Sequence, residues 1–378
     1  MRICHIGVVS FESKVNAREP KAIGGIPGYI YDLITYSLSI NLAVIFVGKI
    51  YNFEKRNSFI YHQIQNQLSS TNNFLLHLFF KSIFIGLTKD TLIHAHRPDH
   101  LAAFILTKKN PSVITLHGQQ ARTINIRKGI IIRTIYNILE KYALKRATYL
   151  IAVDNKTKDF YSTLYPSFYK KIITIPTGVD TNLFKPLDKL LQREKLKLNS
   201  NDNIILYVGR IEPPKRIKEM IEAFEIVLKK STNYKLILVG DGTQLNAIRD
   251  IVIKIKLSEA ILFWGVRSKS ELPSIYNAAD ITVLYSGNEG SPLSVKESLA
   301  CGVPVVANDV GDISDIIIDG MNGYIVKKET PAALADCLLK CIGKSLEMKE
   351  DCINSITNFK TEKVSAKVID LYKKALNV

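Results

Sequence analysis

Residues 281–309 read ITVLYSGNEGSPLSVKESLACGVPVVAND. The stretch holds an apolar run, ITVLYSG, then a helix-like segment that begins near Pro292, and then a second apolar run, VPVVAND. β-branched runs on either side of a helix predict two parallel strands that are covered on both faces. Two carboxylates, Glu289 and Glu297, lie eight positions apart, one before the helix and one inside it.

The same alternation of apolar runs and helix-like segments recurs along the chain. The helix-like segments include IKEMIEAFEIVLKK (217–230) and SELPSIYNAAD (270–280). This pattern predicts an α/β fold with two doubly wound, Rossmann-like domains, joined near TGVDTNLFKPLD (177–188), where Gly, Asn and Pro cluster. The other runs are RICHIGVV (2–9), LAVIFVG (42–48), TLIHAH (91–96), SVITLHG (112–118), YLIAVD (149–154), KIITIP (171–176), NIILYVG (203–209), KLILVGDG (235–242), AILFWG (260–265) and GYIV (323–326).

Composition is that of a globular protein, because 47% of the 378 residues are hydrophobic and 23% are charged. No apolar stretch reaches the roughly 20 residues of a membrane-spanning helix, and the N-terminal segment turns polar too early for a signal peptide. The five cysteines are odd in number and lack C-x-x-C spacing. They indicate reduced thiols in a cytoplasmic protein, neither a disulfide frame nor a zinc site.

The net charge of +16 is concentrated in the first half of the chain. Residues 1–185 contain 24 Lys+Arg and 10 Asp+Glu, whereas the remainder contains 27 and 25. This asymmetry indicates an anionic partner: a lipid surface, a nucleic acid or a phosphorylated substrate. FLLHLFFKSIFIGL (74–87) and the basic segment 119–150 are compatible with attachment to an anionic membrane, or with ordinary core helices on a basic surface.

Two features of the first half suggest ligand contacts. Gly24 and Gly25 precede a helix, where adjacent glycines let backbone N–H groups approach an anion, although an ordinary turn uses the same pair. His117 lies near the carboxyl end of the run SVITLHG and is followed by Gly118. A histidine at that position serves either as a site residue or as a packed structural residue, and the sequence leaves both alternatives open.

Loops with glycines and cations follow the predicted strands of the second half. Gly209, Arg210 and Lys215 come after NIILYVG, and two cations beside a helix N-terminus would neutralise a diphosphate. A solvated basic loop is the plainer alternative, but loops at this end of a parallel sheet face the ligand. Asp241 and the pair Val266–Arg267 mark two further turns whose backbone groups could hold a nucleobase.

The two carboxylates of the opening stretch suit a sugar. A carboxylate accepts two hydrogen bonds from a vicinal diol such as that of ribose. Glu289 precedes the helix, whereas Glu297 lies among the small residues Ser298, Ala300 and Gly302. Small neighbours indicate close helix packing, which argues against the alternative that Glu297 is a solvent-facing charge.

On these residues the chain closely resembles the family 4 retaining glycosyltransferases of GT-B fold. EGSPLSVKE matches their E-x7-E signature, with Glu289 and Glu297 as the two acids. The resemblance continues in TLHG, IPTGVDTNLFKP, VGRIEPPK, VGDG, FWGV and ACGVPVVA, and it covers nearly the whole chain. One departure is the loop EPPKR, where the family usually has one proline and often a glycine after the lysine.

The resemblance implies two domains that face each other across a cleft. These are an acceptor-side domain of residues 1–184, with a C-terminal helix of about 360–378 packed back on it, and a nucleotide-sugar-binding domain of residues 185–359. The implied catalytic residues are His117, Arg210, Lys215 and Glu289. The implied donor-binding residues are Gly24, Gly25, Gly209, Asp241, Val266, Arg267, Gly290, Ser291, Pro292, Leu293, Ser294 and Glu297.

By the same resemblance, Arg210 and Lys215 hold the donor diphosphate, Glu289 the hexose hydroxyls and Glu297 the ribose diol. The expected enzyme is a retaining hexosyltransferase that moves a sugar from a nucleotide diphosphate to a glycan or lipid-linked hydroxyl, at the inner face of the cell membrane and without nucleic acid. No DxD-type carboxylate pair is present to hold Mg²⁺, so we expect no metal and no cofactor. The alternatives are a sugar-nucleotide epimerase of GT-B fold and a non-catalytic sugar-nucleotide-binding protein.

Overall fold

The structure is a computed structural model that describes residues 1–9, 25–50, 59–63, 71–119 and 130–378. The strands are β1 (Arg2–Val9), β2 (Ala43–Ile50), β3 (Phe59–Gln63), β4 (Thr91–Ala95), β5 (Ser112–Leu116), β6 (Tyr149–Ala152), β7 (Ile172–Thr174), β8 (Asn203–Val208), β9 (Tyr234–Val239), β10 (Ile261–Gly265), β11 (Ile281–Leu284), β12 (Val305–Asn308) and β13 (Gly323–Val326). The helices are α1 (Gly25–Ser39), α2 (Thr71–Phe84), α3 (Pro98–Ile105), α4 (Ile130–Arg146), α5 (Asn155–Leu164), α6 (Lys189–Lys195), α7 (Ile217–Leu228), α8 (Leu245–Lys254), α9 (Leu272–Ala278), α10 (Leu293–Ala300), α11 (Ile313–Ile316), α12 (Pro331–Lys344), α13 (Lys349–Ser355) and α14 (Thr361–Leu376). None of these helices is long and apolar enough to cross a bilayer.

Contacts divide the described chain into two compact units. Unit 1 takes in the described residues of 1–9, 25–177 and 361–378, and unit 2 consists of residues 178–360. The C-terminal helix α14 therefore belongs to unit 1, where it packs against α1, β4 and β5. Its apolar positions Val364, Val368 and Tyr372 are spaced four apart, so that they share one buried face.

Each unit is built on one parallel sheet. The strand order is β3-β2-β1-β4-β5-β6-β7 in unit 1 and β10-β9-β8-β11-β12-β13 in unit 2. The order reverses direction between β1 and β4 in the first sheet and between β8 and β11 in the second. Ligands of doubly wound sheets bind outside the carboxyl ends of the strands at this switch point. The carboxyl ends of β1, β4, β8 and β11 are therefore where the fold places a site.

The apolar runs of the sequence become strands because their β-branched residues are buried by helices on both faces of the sheet. Every run identified from the sequence contains a strand, and the two parallel doubly wound sheets confirm the predicted fold class. The helix predicted over 217–230 is α7, which buries Ile217, Ile221 and Phe224 at helical spacing. The edge strand β3, FIYHQ, was not predicted, because it has no continuous apolar run.

A buried carboxyl group in unit 1 makes stability depend on pH. Glu140 of α4 is fully buried, and its Oε1 accepts a hydrogen bond of 3.1 Å from Tyr161 Oη. Burial raises the pKa of Glu140 to about 7. Between the ordinary carboxyl pKa and pH 7 the folded chain therefore binds more protons than the unfolded chain, so the free energy of unfolding falls as pH rises through that window.

We expect Glu140→Gln to remove this dependence, because the amide does not ionise. The free energy of unfolding at pH 8 should rise by about 1–3 kcal/mol, with no gain at pH 4. Thermal midpoints measured from pH 4 to pH 8 test this. Asp159→Asn, at an exposed position of α5, is the matched control and should leave the pH profile unchanged. If the melting temperature of Glu140→Gln changed with pH as that of the parent chain does, Glu140 would not be the source of the pH dependence.

Candidate functional site

The loops after β8 and β11 meet at the switch point of unit 2. The carbonyl oxygen of Pro214 accepts hydrogen bonds from Gly287 N at 2.7 Å and from Ser286 Oγ at 2.9 Å. Across this junction the Lys215 ammonium donates to Oε1 of Glu289, and both side chains are largely buried. The structure thus brings together a predicted diphosphate-binding cation and the first acid of the signature.

The double proline that departs from the family pattern has a definite conformation. Pro213–Lys215 form a 3-10 turn, and Arg216, at φ 47°, turns the chain into α7. The Arg216 guanidinium donates to Glu329 at 2.6 Å and so fixes the end of the turn. The EPPKR loop therefore presents Lys215 at the end of β8 despite its unusual sequence.

Arg210 lies in the same loop as Lys215, five residues before it. It is exposed, and its carbonyl oxygen accepts a hydrogen bond of 2.7 Å from Tyr207 Oη. Burial raises the pKa of the Tyr207 phenol, the nearby Glu289 carboxylate raises it further, and Arg210 partly opposes both effects. Tyr207 is therefore close to both Arg210 and Glu289, and it links the two sides of the site.

Glycines allow the ends of β8 and β9 to approach each other closely. A Cβ atom at Gly240, whose φ is +140°, would lie 1.9 Å from the carbonyl oxygen of Gly209. The carbonyl of Asp241 accepts from Ile211 N at 2.9 Å, while its Oδ1 accepts from Gly242 N at 2.7 Å. Gly209 and Asp241 thus shape the rim of the site through their backbone.

Glu297 is buried and has a specific partner. Its side chain lies on α10, the residue is 6% exposed, and Oε2 accepts a hydrogen bond of 2.8 Å from Tyr276 Oη. A solvent-facing charge on this helix is thereby excluded. The hydrogen bond to Tyr276 orients the carboxylate of Glu297.

A buried ion pair anchors the segment between Glu289 and Glu297. Lys296 donates to Asp312 Oδ2 at 2.8 Å and also to Ser291 Oγ, which in turn donates to Asp312 Oδ2 at 2.5 Å. Asp312 N donates to the carbonyl of Gly290 at 2.9 Å. Gly311 permits this approach, since a Cβ there would lie 1.7 Å from Gly290 O.

The other predicted donor-binding residues of unit 2 lie at strand and helix ends. Pro292 is the N-cap residue of α10 and Leu293 and Ser294 open the helix, which has no side-chain hydrogen bond at its cap. Val266 and Arg267 follow β10. The Arg267 guanidinium donates to Glu271 at 3.2 Å and lies over the Trp264 ring.

Unit 1 has its own group of predicted site residues. Gly25 opens α1 with φ +65°, whereas Gly24 lies outside the described residues. His117 follows β5, and its ring is in edge-to-face contact with Tyr29 of α1, with centroids 5.1 Å apart. Burial lowers the pKa of His117 to about 3, so its imidazole is neutral at physiological pH. Its Nε2 lies 3.5 Å from Nδ1 of His96.

Sequence reasoning missed the residues that orient the predicted ones. These are Tyr207, Tyr276, Lys296, Gly311 and Asp312. A sequence signal existed only for Lys296, a lone cation among the small and apolar residues of the α10 segment. The partners of Tyr276, Gly311 and Asp312 are brought close by the fold, and the contact of Tyr207 with the nearby Arg210 carbonyl has no distinctive sequence pattern.

Comparisons with known proteins cover most of the chain. The model described as "Glycosyl transferases group 1" matches residues 188–359, and the model described as "Glycosyltransferase Family 4" matches residues 23–183. The chain is 27% identical over 276 residues to the alpha-monoglucosyldiacylglycerol synthase of Streptococcus pneumoniae, covering 71% of this chain and 62% of that protein.

Two further proteins are similar to this chain. It is 28% identical over 272 residues to the UDP-Gal:alpha-D-GlcNAc-diphosphoundecaprenol alpha-1,3-galactosyltransferase of Escherichia coli, covering 69% of each. The chain spans 62% and 69% of the length of the Streptococcus pneumoniae and Escherichia coli relatives, and 38–53% of the length of three D-inositol 3-phosphate glycosyltransferases that it also matches. The solved structure of sucrose-phosphate synthase from Thermosynechococcus elongatus covers 100% of this chain, and 99% of its own chain is matched, with a TM-score of 0.83 at 20% identity. That likeness confirms the GT-B fold.

Proposed function

The chain belongs to glycosyltransferase family 4, and we propose that it moves a hexose or N-acetylhexosamine from a nucleotide-diphosphate sugar to a hydroxyl group with retention of anomeric configuration. The observation that supports this most directly is the contact of Lys215 with Glu289 at the switch point of unit 2. A cation for phosphate and a carboxylate for sugar hydroxyls stand there side by side. The family 4 relatives named above support the class of reaction.

The paired charges suit a donor that carries both kinds of group. The ion pair with Glu289 keeps the Lys215 ammonium in place. A diphosphate is the stronger partner for Lys215 and Arg210 because it carries more negative charge, so donor binding releases Glu289 to accept hydrogen bonds from sugar hydroxyls. Glu297, oriented by Tyr276, accepts from the ribose diol.

The chemical step places negative charge on the departing diphosphate. The anomeric C–O bond breaks with its electron pair on the diphosphate, and the acceptor oxygen forms the new bond on the same face of the sugar. The acceptor proton passes to the departing phosphate oxygen. Lys215 and Arg210 stabilise the charge that develops, and they are already in position before it forms. Glu289 supports the oxocarbenium-like carbon.

We propose that this step needs no metal ion. Lys215 and Arg210 supply the positive charge that Mg²⁺ supplies in other phosphoryl-bearing sites. Within the described residues, the metal-ligating group that the geometry identifies consists of three histidines of unit 1 and includes none of the acids of unit 2. Sugar transfer should therefore proceed in EDTA at the rate seen with added Mg²⁺.

The test of the function begins with a panel of nucleotide sugars ranked by the rise in melting temperature that each produces. The best donor is then incubated with glycan and lipid-linked acceptors, and nucleotide release and the anomeric configuration of the product are measured. Acceptor-dependent release with retention supports the proposal. Release without acceptor, with an epimerised sugar, would identify an epimerase. Binding without any turnover would identify a sugar-nucleotide-binding protein.

A lipid-linked acceptor is the class that we propose. The names of the two relatives compared above contain a lipid: monoglucosyldiacylglycerol in one and GlcNAc-diphosphoundecaprenol in the other. In unit 1, α3 contacts both α2 and α4. Helices α2 and α4 carry exposed apolar side chains, among them Phe84 of α2, which is 83% exposed, and Ile138 of α4, which is 63% exposed. The exposed cations Lys81, Lys141 and Lys145 lie on the same two helices, α2 and α4.

Apolar side chains interleaved with cations favour docking on an anionic membrane. We name the patch formed by exposed Phe80, Ile83, Phe84, Ile135, Ile138 and Tyr142 the α2–α4 surface. Together with the net charge of the first half, it supports a peripheral position at the inner face of the cell membrane. Nucleic acid is the poorer partner, because the exposed cations of α2 and α4 share these helices with large exposed apolar side chains.

We expect the protein to co-sediment with vesicles that contain anionic lipid and to be released as salt is raised. The double variant Phe84→Glu/Ile138→Glu should lower the fraction bound by about tenfold or more, because it removes two apolar anchors and adds negative charge. Leu346→Glu, at an 80% exposed position of unit 2, is the matched control and should bind as the parent chain does. Binding that is indifferent to lipid charge and to the double variant would exclude the α2–α4 surface.

A further inference from the structure

Three buried histidines meet at the switch point of unit 1. His5 lies on β1, and His94 is its register partner on β4. His96 lies two residues after His94 and directly follows the end of β4. Because side chains alternate between the faces of a strand, His94 and His96 project to the same face, and the in-register His5 projects with them. Each of the three is at most 1% exposed. None of them has a part in the proposed sugar transfer.

The spacing of their nitrogen atoms matches that of metal ligands. His5 Nδ1 lies 3.3 Å from His96 Nε2, and one ligand nitrogen from each of the three residues lies within 4.8 Å of the others. Zinc binds imidazole nitrogen at about 2.0–2.1 Å in tetrahedral geometry, which places two ligands about 3.4 Å apart. The His5–His96 pair already has about this separation, and the upper limit of 4.8 Å for the other pairs exceeds it by about 1.4 Å at most.

Hydrogen-bond partners fix the orientation of the histidine rings, as a metal site requires. His94 Nδ1 lies 2.5 Å from Tyr372 Oη of α14, and its Nε2 lies 2.7 Å from Thr115 Oγ1. Whichever nitrogen of His94 binds an ion, the other keeps an oxygen partner that fixes the ring, as metal-ligating histidines usually have. His96 likewise directs its second nitrogen, Nδ1, towards His117 Nε2.

We propose that His5, His94 and His96 bind one Zn²⁺ ion, with water in the fourth position. Nitrogen ligands select zinc and its transition-metal neighbours, whereas Mg²⁺ and Ca²⁺ prefer oxygen. The ion would join β1 to β4 and, through Tyr372, to α14.

The test titrates Co²⁺, as a coloured substitute for Zn²⁺, into the full chain after removal of any polyhistidine tag and of adventitious metal. We expect the intense visible bands of four-coordinate Co²⁺, saturation at one ion per chain and displacement by Zn²⁺. A sulfur-to-metal charge-transfer band would place the ion at one of the five cysteines and overturn the proposal. Weak bands of six-coordinate Co²⁺, or no saturation, would overturn it equally.

Variants then assign the ligands. His5→Gln and His96→Gln should each weaken Co²⁺ binding at least 100-fold, whereas His77→Gln on α2 and His62→Gln on β3 should not change it. Tyr372→Phe and Thr115→Val each remove one oxygen partner of His94. The variant that removes the partner of the nitrogen not bound to the ion should weaken binding by about 10–100-fold. Because these two variants keep all three imidazoles, they test the site even if a histidine variant fails to fold. Unchanged affinity in folded His5→Gln and His96→Gln would exclude these ligands.

Discussion

Replacement of Lys215 by alanine should lower kcat by about 10²–10³-fold, the loss that follows removal of one oxyanion-hole donor. Lys215 is the cation that Glu289 holds at the junction of the β8 and β11 loops. On the proposed mechanism it meets the diphosphate as the anomeric bond breaks, so its contribution is largest in the transition state. Single-turnover transfer at saturating donor measures that step without interference from product release.

The control for this prediction is Lys218→Ala. Lys218 lies three residues further along, on α7, and its ammonium is exposed 3.8 Å from Glu222, so its loss should leave kcat unchanged. Lys215→Arg retains the charge with a different shape and should fall between the parent chain and Lys215→Ala. Near-normal turnover by a folded Lys215→Ala enzyme would contradict the role assigned to Lys215 and leave Arg210 as the candidate cation.

The fold was predictable from sequence because its strands are buried on both faces and therefore appear as continuous apolar runs. NIILYVG and ITVLYSG contain β8 and β11, the neighbours that define the switch point of unit 2. The edge strand β3 gave no such signal, since FIYHQ mixes polar and aromatic residues. Strand ends were less predictable: the run 235–242 continues three residues beyond β9 into the loop.

The charged groups of the candidate site were predictable for a different reason. Arg210 and Lys215 lie in the loop after β8 and Glu289 in the loop after β11, and parallel strands end at one edge of the sheet. The direct contact of Lys215 with Glu289 joins residues 74 positions apart and becomes visible only when β8 is seen to pair with β11. The same limit applies to the buried partners Tyr276 and Asp312, whose roles depend on packing that no local pattern encodes.

The second large effect is expected at Lys296. Lys296→Met should lower the free energy of unfolding by about 3–5 kcal/mol, because it leaves Asp312 as an uncompensated charge in the core. Both side chains are almost fully buried, at 0% and 2% exposure. The melting temperature of unit 2 measures the loss. Lys344→Met, at an exposed position of α12, is the matched control and should melt as the parent chain does.

A double variant separates stability from positioning. Lys296→Met/Asp312→Asn removes the unpaired charge, so it should be more stable than Lys296→Met alone. We expect the donor KM to be raised in Lys296→Met and to remain raised in the double variant. In both, Ser291 has lost the ammonium that anchors it, so the segment 289–292 no longer holds Glu289 in place. Recovery of both stability and KM in the double variant would mean that the ion pair only balances charge. Recovery of stability without recovery of the donor KM would make Lys296 a positioning residue for Glu289, the first acid of the signature.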